Sequence, residues 1–166
     1  EDELLKNFKL TGALAYYDYQ NLTRGLSKQA VAASGNSPAI TNAVTSANGF
    51  KGNSNAGGLF LVQDFNLLNP TVEIASQYAG IPFSLFGDWV RNTASISAGD
   101  GFQIGLKVGK ASVPFDLKKG GEAGYFYEQL APDATFGAFT DSDFGNGGTN
   151  HNGHVYWLKL ATLKNS

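Results

Sequence analysis

Two groups of side chains in the sequence could bind a metal ion. Asp141, Asp143 and Asn146 lie in a glycine-rich segment, and their oxygen atoms are ligands that Ca²⁺ accepts. Their spacing does not match an EF-hand loop, so the residues favour a structural turn in which Asp and Asn bond their own backbone. His151 and His154 could hold zinc with one of these carboxylates, but a spacing of three on a strand points two side chains to opposite faces. We therefore predict loop histidines, no metal site and no cofactor.

Catalysis and nucleic-acid binding find little support in the sequence. The chain has no cysteine, which excludes a thiolate nucleophile, and it contains neither a G-x-S-x-G elbow nor a phosphate-binding P-loop. Its 12 Lys and Arg residues face 14 Asp and Glu residues, which leaves no basic excess to hold nucleic acid. We predict that the protein is not an enzyme and has no nucleic-acid partner.

Charged residues recur on one face of the predicted strands. Between Phe102 and Gly109 apolar residues alternate with Gln, Lys and Gly, so this strand has one apolar face and one polar or small face. Several such strands have charged residues near their middle, on the polar face. We predict that they line an aqueous lumen without strong ion selectivity, the alternative being the solvated face of a soluble sheet. The pore-lining candidates are Lys9, Asp64, Glu73, Asp88, Lys107, Glu122, Glu128 and Lys159.

Aromatic residues gather near the ends and centres of the predicted strands. We predict that they form a girdle at the level of lipid headgroups, with packing in a soluble β core and sugar-binding platforms as alternatives. The chain has no apolar run of the roughly 18 residues that a membrane helix needs, but an alternating strand of about 10 residues suffices for a barrel. The aromatic residues are Tyr16, Tyr17, Tyr19, Trp89, Tyr125, Tyr127, Tyr156 and Trp157.

Long and short connections alternate along the chain. The polar breaks at 20–58, 92–101 and 141–153 are long, whereas 79–80 and 113–121 are short. This alternation is typical of outer-membrane barrels, which have long loops at one end and short turns at the other. We predict a short helix at 24–33, and we expect loop 20–58 to lie outside the cell, where it could fold inward and narrow a lumen.

The number of strands depends on two prolines. The alternation of apolar and polar residues shifts by one position across Pro70 and again across Pro132. Each shift predicts either a bulge in one long strand or a hairpin between two short strands. The first choice gives six strands and the second gives eight. The loop alternation favours six, and six strands are fewer than the roughly 8 of the smallest membrane barrels.

A segment near the end of the chain resembles a known family. GYFYEQLAPDA at 124–134 is followed by AFTDSDFG at 138–145, by GGTN at 147–150 and by GH at 153–154. This pattern is similar to the putative porin family of Gram-negative outer membranes, and FSLFGDWVRNT at 83–93 resembles an earlier strand of the same region. The resemblance implies a large barrel, passive diffusion of small hydrophilic solutes, and a chain drawn from the C-terminal half of a porin.

These observations give one prediction of fold and function. We expect an all-β protein, an antiparallel up-and-down transmembrane β-barrel segment of six to eight strands over 1–166, in the cell outer membrane. Its partners would be outer-membrane lipid and small hydrophilic solutes, with homo-oligomerisation left open. The alternative is a soluble β-sandwich or small β-barrel that binds glycans or a protein. The expected lipid-facing residues are Leu10, Leu14, Ile74, Leu85, Phe102, Ile104, Leu106, Val108, Leu158 and Leu160.

Overall fold

The computed structural model describes residues 7–20, 22, 50–56, 60–113, 116, 120–141 and 146–162. Six of its strands are long, two contain only two residues each, and a single 3₁₀ turn lies at Gly137–Phe139. The described part of the chain holds no helix that is long and apolar enough to cross a membrane. The strands are β1 (Lys9–Tyr19), β2 (Asn55–Ala56), β3 (Phe60–Leu61), β4 (Phe65–Tyr78), β5 (Ile81–Asn92), β6 (Asp100–Ala111), β7 (Gly120–Leu130) and β8 (His151–Leu160).

The six long strands form one antiparallel sheet in the order β1-β4-β5-β6-β7-β8. Each strand pairs with the next long strand along the chain, because β2 and β3 pair only with each other in a separate small hairpin. The sheet is open, with β1 and β8 as its edges. The predicted all-β, up-and-down antiparallel fold is confirmed, and six long strands agree with the count that the loops favoured.

The connections differ between the two ends of the sheet. At one end, called here the turn end, Ala79 and Gly80 have φ angles of 50° and 78° and link β4 to β5. Two consecutive positive φ angles are typical of a type I′ hairpin turn. The opposite end, the loop end, carries the long connections 20–64 and 131–150. The strict alternation predicted from the sequence is wrong at one place, because connection 93–99 is no longer than 112–119 at the turn end.

Side chains divide the sheet into two faces. Leu85 pairs with Leu106, and Leu106 pairs with Tyr125, so one row of apolar side chains crosses β5, β6 and β7. The neighbouring row, offset by one residue, includes Lys107 and lies on the other side of the sheet because successive side chains alternate. We call these the apolar face and the polar face. All ten residues expected to meet lipid lie on the apolar face.

Strand β4 runs straight through Pro70. Its pairing with β1 and with β5 keeps one register on both sides of the proline, so the strand contains neither a bulge nor a turn. The shift in parity has a different cause. Phe65 and Leu67 point to the polar face at the loop end, where loop residues bury them, whereas Val72 and Ile74 beyond the proline point to the apolar face.

The long segment around Pro132 contains one strand followed by a folded loop. Strand β7 ends at Leu130, and the chain then continues through a turn into the 3₁₀ helix Gly137–Phe139. The apolar residues beyond β7 therefore belong to a folded loop. Neither a bulge nor a second strand explains the shift in alternation at Pro132. The cause at both prolines is the same, because folded loops at the loop end bury apolar side chains that do not follow the pattern of the strand.

A small hydrophobic core closes the loop end of the sheet. It brings residues from loop 50–61, from β4 and from the segment after β7 into contact, although they are up to 86 residues apart in sequence. Tyr19, Leu22 and Val90 pack against it from the side. This core covers part of the polar face, and its buried members are Phe50, Leu61, Phe65, Leu67 and Phe136.

Two buried asparagines connect the loops through side-chain hydrogen bonds. The Asn53 side-chain amide donates to the carbonyls of Pro132 and Thr135, both at 2.7 Å, and its oxygen accepts from the Gly137 N–H at 2.8 Å. Asn92 donates in the same way to the carbonyls of Asp64 and Asp133, at 2.9 and 3.0 Å. A buried amide that loses such partners is costly, so these bonds fix loop geometry. The predicted helix 24–33 lies outside the described residues.

Candidate functional site

Seven of the eight pore-lining candidates share the polar face. The register places them on the same side of five neighbouring strand pairs, opposite the apolar rows. Asp64 lies outside the main sheet, just before β4, where its carboxylate accepts from the Phe65 N–H at 3.1 Å. Contact with a lumen stays a prediction for all eight. The seven are Lys9, Glu73, Asp88, Lys107, Glu122, Glu128 and Lys159.

Charges on the polar face are separated along the strands. Asp88 and Glu128 both flank Gln103 in the register, and this row lies towards the loop end. Lys107 and Lys159 lie closer to the turn end. The face therefore carries both signs, as the sequence predicts: the lysines lie near the turns, whereas the carboxylates are spread along the face from Asp88 and Glu128 to Glu122 at the turn end.

Several of these carboxylates are held by neighbouring side chains. Asn69 donates to Asp88 at 2.9 Å, which fixes the carboxylate against the sheet. The ring nitrogen Nε2 of His151 lies 3.0 Å from Glu128. At the turn end Glu122 accepts from Trp157 and pairs with Lys159, each at 3.1 Å. These contacts hold the carboxylates in defined positions on a water-accessible surface.

Aromatic rings cover two glycines in the middle of the polar face. A Cβ atom at Gly105 would collide with Phe86 and Phe126, and one at Gly124 would overlap the indole ring of Trp157. Gly124 and Trp157 are direct cross-strand partners. This pairing of glycine with a large ring was not predicted from the sequence. The one sequence feature that indicated it was Phe86, which breaks the alternation of β5. In the structure, the Phe86 ring fills the space above Gly105.

Three residues assigned to the headgroup girdle lie on the wrong face. Tyr17 and Tyr19 lie on the polar face with Lys9, because every second residue of β1 points to the same side of the sheet. Trp157 also lies on the polar face, where it donates to Glu122. The girdle prediction is therefore wrong for these residues. The other five aromatic residues lie on the apolar face: Tyr16, Trp89, Tyr125, Tyr127 and Tyr156.

A cavity of about 390 Å³ opens on the polar face at the loop end. Strands β1, β4, β5, β7 and β8 contribute its walls, and the segment after β7 forms its roof. Tyr17, Tyr19 and Phe139 line it with aromatic rings, and Asp88, Glu128 and Asp141 line it with carboxylates. The remaining lining residues are Leu67, Asn69, Val90, Leu130, Thr135, Thr140 and His151.

The structure describes two of the three proposed calcium ligands. Asp141 lines the cavity, Asn146 lies in a turn with a φ of 65°, and Asp143 is outside the described residues. Within the part of the chain that the structure describes, no three His, Asp or Glu side chains are close enough to hold a metal ion.

Both histidines belong to β8, so their assignment to a loop is wrong. As their spacing predicts, they point to opposite faces. His151 contacts Glu128 on the polar face, and Nδ1 of His154 lies 2.9 Å from the Tyr125 hydroxyl on the apolar face. The two rings cannot share one metal ion in this arrangement.

The apolar face is open, and charges are confined to its two ends. Leu106 at its centre is 44% exposed and Leu158 is 69% exposed, so the described residues leave the middle of this face uncovered. Arg91 and Asp100 form an ion pair at the loop end. The other two charged residues that the register puts on this face are Asp18 at the loop end and Lys110 at the turn end.

These features define a class of protein: an antiparallel sheet with an uncharged apolar band on one side and charged side chains on the other, as in the wall of a β-barrel. A family model described as putative porin matches residues 58–166. The chain belongs to this putative porin family. The match covers β4 to β8 and leaves out β1. No curated protein and no solved structure matches the chain significantly.

Proposed function

We propose that the sheet is part of the wall of a water-filled pore in the cell outer membrane. Small hydrophilic solutes and ions would diffuse through this pore passively, with no covalent step. One observation carries the proposal: the sheet has a wide apolar face with charges only at its ends, and an opposite face with charges in its middle. Membership of the putative porin family supports it.

The dimensions of the strands suit a bilayer. The long strands contain 10 to 14 residues, and a barrel strand tilted by roughly 45° needs about 9–11 to cross the hydrocarbon layer. The ion pair Arg91–Asp100 and the lone Lys110 would then lie at opposite interfaces, where charge costs little. We propose that the uncharged band between them contacts lipid.

The opposite face would line the lumen. Carboxylates and lysines there can stay hydrated in a water-filled channel, whereas lipid contact would make each of them costly. The sheet carries three lysines and four carboxylates on this face, so the two signs nearly balance. We propose weak overall ion selectivity. The folded loops around Phe50 and Phe136 cover the loop end of this face and would narrow the pore there.

Further strands would complete the barrel. Strands β1 and β8 have no partner on their outer sides in the described sheet, and an open edge in lipid would leave backbone groups without hydrogen bonds. Six strands are also fewer than the roughly 8 of the smallest membrane barrels. We propose that both edges pair with additional strands of a larger barrel.

The first experiment uses the full-length protein. It is extracted from membranes with and without detergent, run on gels with and without heating, and reconstituted into planar lipid bilayers. The proposal predicts a requirement for detergent, a change in mobility on heating, and stepwise ion conductance. A protein that is monodisperse in plain buffer, has no heat shift and does not conduct would contradict it. That outcome would favour a soluble module that binds glycans or a protein through its polar face.

A further inference from the structure

We propose that the cavity at the loop end of the polar face is a binding site for a sugar: a neutral, polyhydroxylated solute with a flat apolar side. The inference rests on the proposed pore function and specifies which solute the pore holds during passage. Three independent features of the cavity lead to it, namely its row of aromatic rings, its fixed polar groups and its size and position.

The aromatic rings form a nearly parallel row. The rings of Tyr17 and Tyr19 are 6.4 Å apart with an angle of 18° between their planes, and Tyr19 and Phe139 are 5.9 Å apart at 24°. Tyr17 and Phe139 at the two ends of the row remain 46% and 71% exposed. Exposed aromatic rings side by side on one cavity wall offer an apolar surface that a ligand can cover. Their shape fits the C–H side of a pyranose ring.

Hydrogen-bond acceptors and hydrogen-bond donors both line the same cavity. Asp88 accepts from Asn69 and lines the cavity, and a carboxylate has further lone pairs that can accept hydrogen bonds. Glu128 contacts His151 at 3.0 Å, and the hydroxyl groups of Thr135 and Thr140 can donate or accept. A sugar hydroxyl is both donor and acceptor, so it can use either kind. An inorganic ion or a simple amine would use only the acceptors and would leave the aromatic row uncovered.

The cavity has the size and position that a transported sugar requires. Its volume of about 390 Å³ falls within the roughly 300–1,000 Å³ of small-molecule sites. It lies where the loops around Phe136 cover the polar face, so a solute in a narrowed lumen would pass it. None of the described residues that line it is a lysine or an arginine. The turn-end lysines therefore take no part in the site.

Single-channel recording with maltotriose as the probe tests the inference. The full-length protein in planar bilayers should show brief current interruptions whose frequency rises with maltotriose concentration. Replacing Tyr17 by leucine removes one ring and keeps most of the apolar volume. The variant should bind maltotriose about three- to tenfold more weakly, which is the typical contribution of one aromatic contact. Tyr16→Leu is the matched control because the adjacent ring lies on the apolar face, and it should leave binding unchanged.

The outcomes separate the two proposals. If no channels form, the proposed pore function fails. If channels form and maltotriose causes no interruptions, the pore stands and the sugar site is wrong. Interruptions by spermidine without any by maltotriose would identify a cation site instead. Equal effects of Tyr17→Leu and Tyr16→Leu would also overturn the inference, because the aromatic row would then have no special role.

Discussion

Replacing Leu106 by arginine tests which face of the sheet meets lipid. Leu106 lies near the centre of the 12-residue strand β6, with Leu85 and Tyr125 as its cross-strand neighbours. A rise of about 3.3 Å per residue and a tilt of roughly 45° give the strand a height of roughly 28 Å. This is close to the apolar band of about 25 Å in outer-membrane barrels, so Leu106 would lie near the bilayer midplane if the apolar face meets lipid as proposed.

A charge at that depth has a defined cost. An arginine on the lipid face at the midplane should destabilise the folded protein by about 2–4 kcal/mol, and the cost should fall to about 0–1 kcal/mol near the interfaces. Ile81 lies on the same face at the turn end, so Ile81→Arg should cost less than Leu106→Arg. Gln103→Arg, in the same strand on the polar face beside Asp88 and Glu128, should cost little.

The assay is reversible unfolding of the full-length protein from lipid vesicles in guanidinium chloride, followed by tryptophan fluorescence. The free energy of unfolding is compared for the parent and the three arginine variants. Two results would refute the reasoning. A cost of Leu106→Arg within about 0.5 kcal/mol, the usual range for exposed soluble surfaces, would place the apolar face in water. An equal cost for Ile81→Arg would indicate a buried protein core, which has no membrane depth.

Two further predictions concern packing on the polar face and the folded loops. Gly124→Ala should displace the Trp157 indole, cost about 1–3 kcal/mol and change tryptophan fluorescence, whereas Gly121→Ala has room for its methyl group; equal heat stability of the two variants on gels would contradict the close contact. Asn53→Ala leaves the Thr135 carbonyl and the Gly137 N–H without partners, at about 1–3 kcal/mol, whereas the Pro132 carbonyl keeps its bond from the Thr149 hydroxyl. Asn53→Ala should raise single-channel conductance by releasing the loop, while exposed Asn55→Ala should not. Unchanged conductance in both would show that this loop does not narrow the pore.

Alternation in the sequence was enough to predict the two faces of the sheet. The period of two in β6 places Leu106 and Lys107 on opposite sides without any knowledge of their neighbours, and each other long strand obeys the same geometry. The turn at Ala79 and Gly80 was also predictable, because Gly80 adopts the left-handed conformation that a tight hairpin needs without steric cost, although Ala79 adopts it only at a cost. The fold class followed from such local signals.

The loop end could not be predicted in this way. Phe65 and Leu67 are buried because Phe50 and Phe136 from distant loops pack on them, and no local pattern reports such contacts. The shift in parity at Pro70 therefore suggested a bulge that does not exist. The cavity escaped prediction for a different reason: Tyr17 was assigned to a lipid girdle by residue type, although the alternation of side chains along β1 puts it on the polar face.

Site-directed spin labelling along β6 is the most direct test of the account. The sequence contains no cysteine, so single cysteines at 102–109 can carry a nitroxide in the full-length protein in vesicles. The account predicts that labels at Ile104, Leu106 and Val108 are more accessible to oxygen, which dissolves in lipid, and that labels at Gln103 and Lys107 are more accessible to a water-soluble nickel complex. If both sets of labels are equally accessible to the nickel complex, the apolar face does not contact lipid and the porin account is wrong.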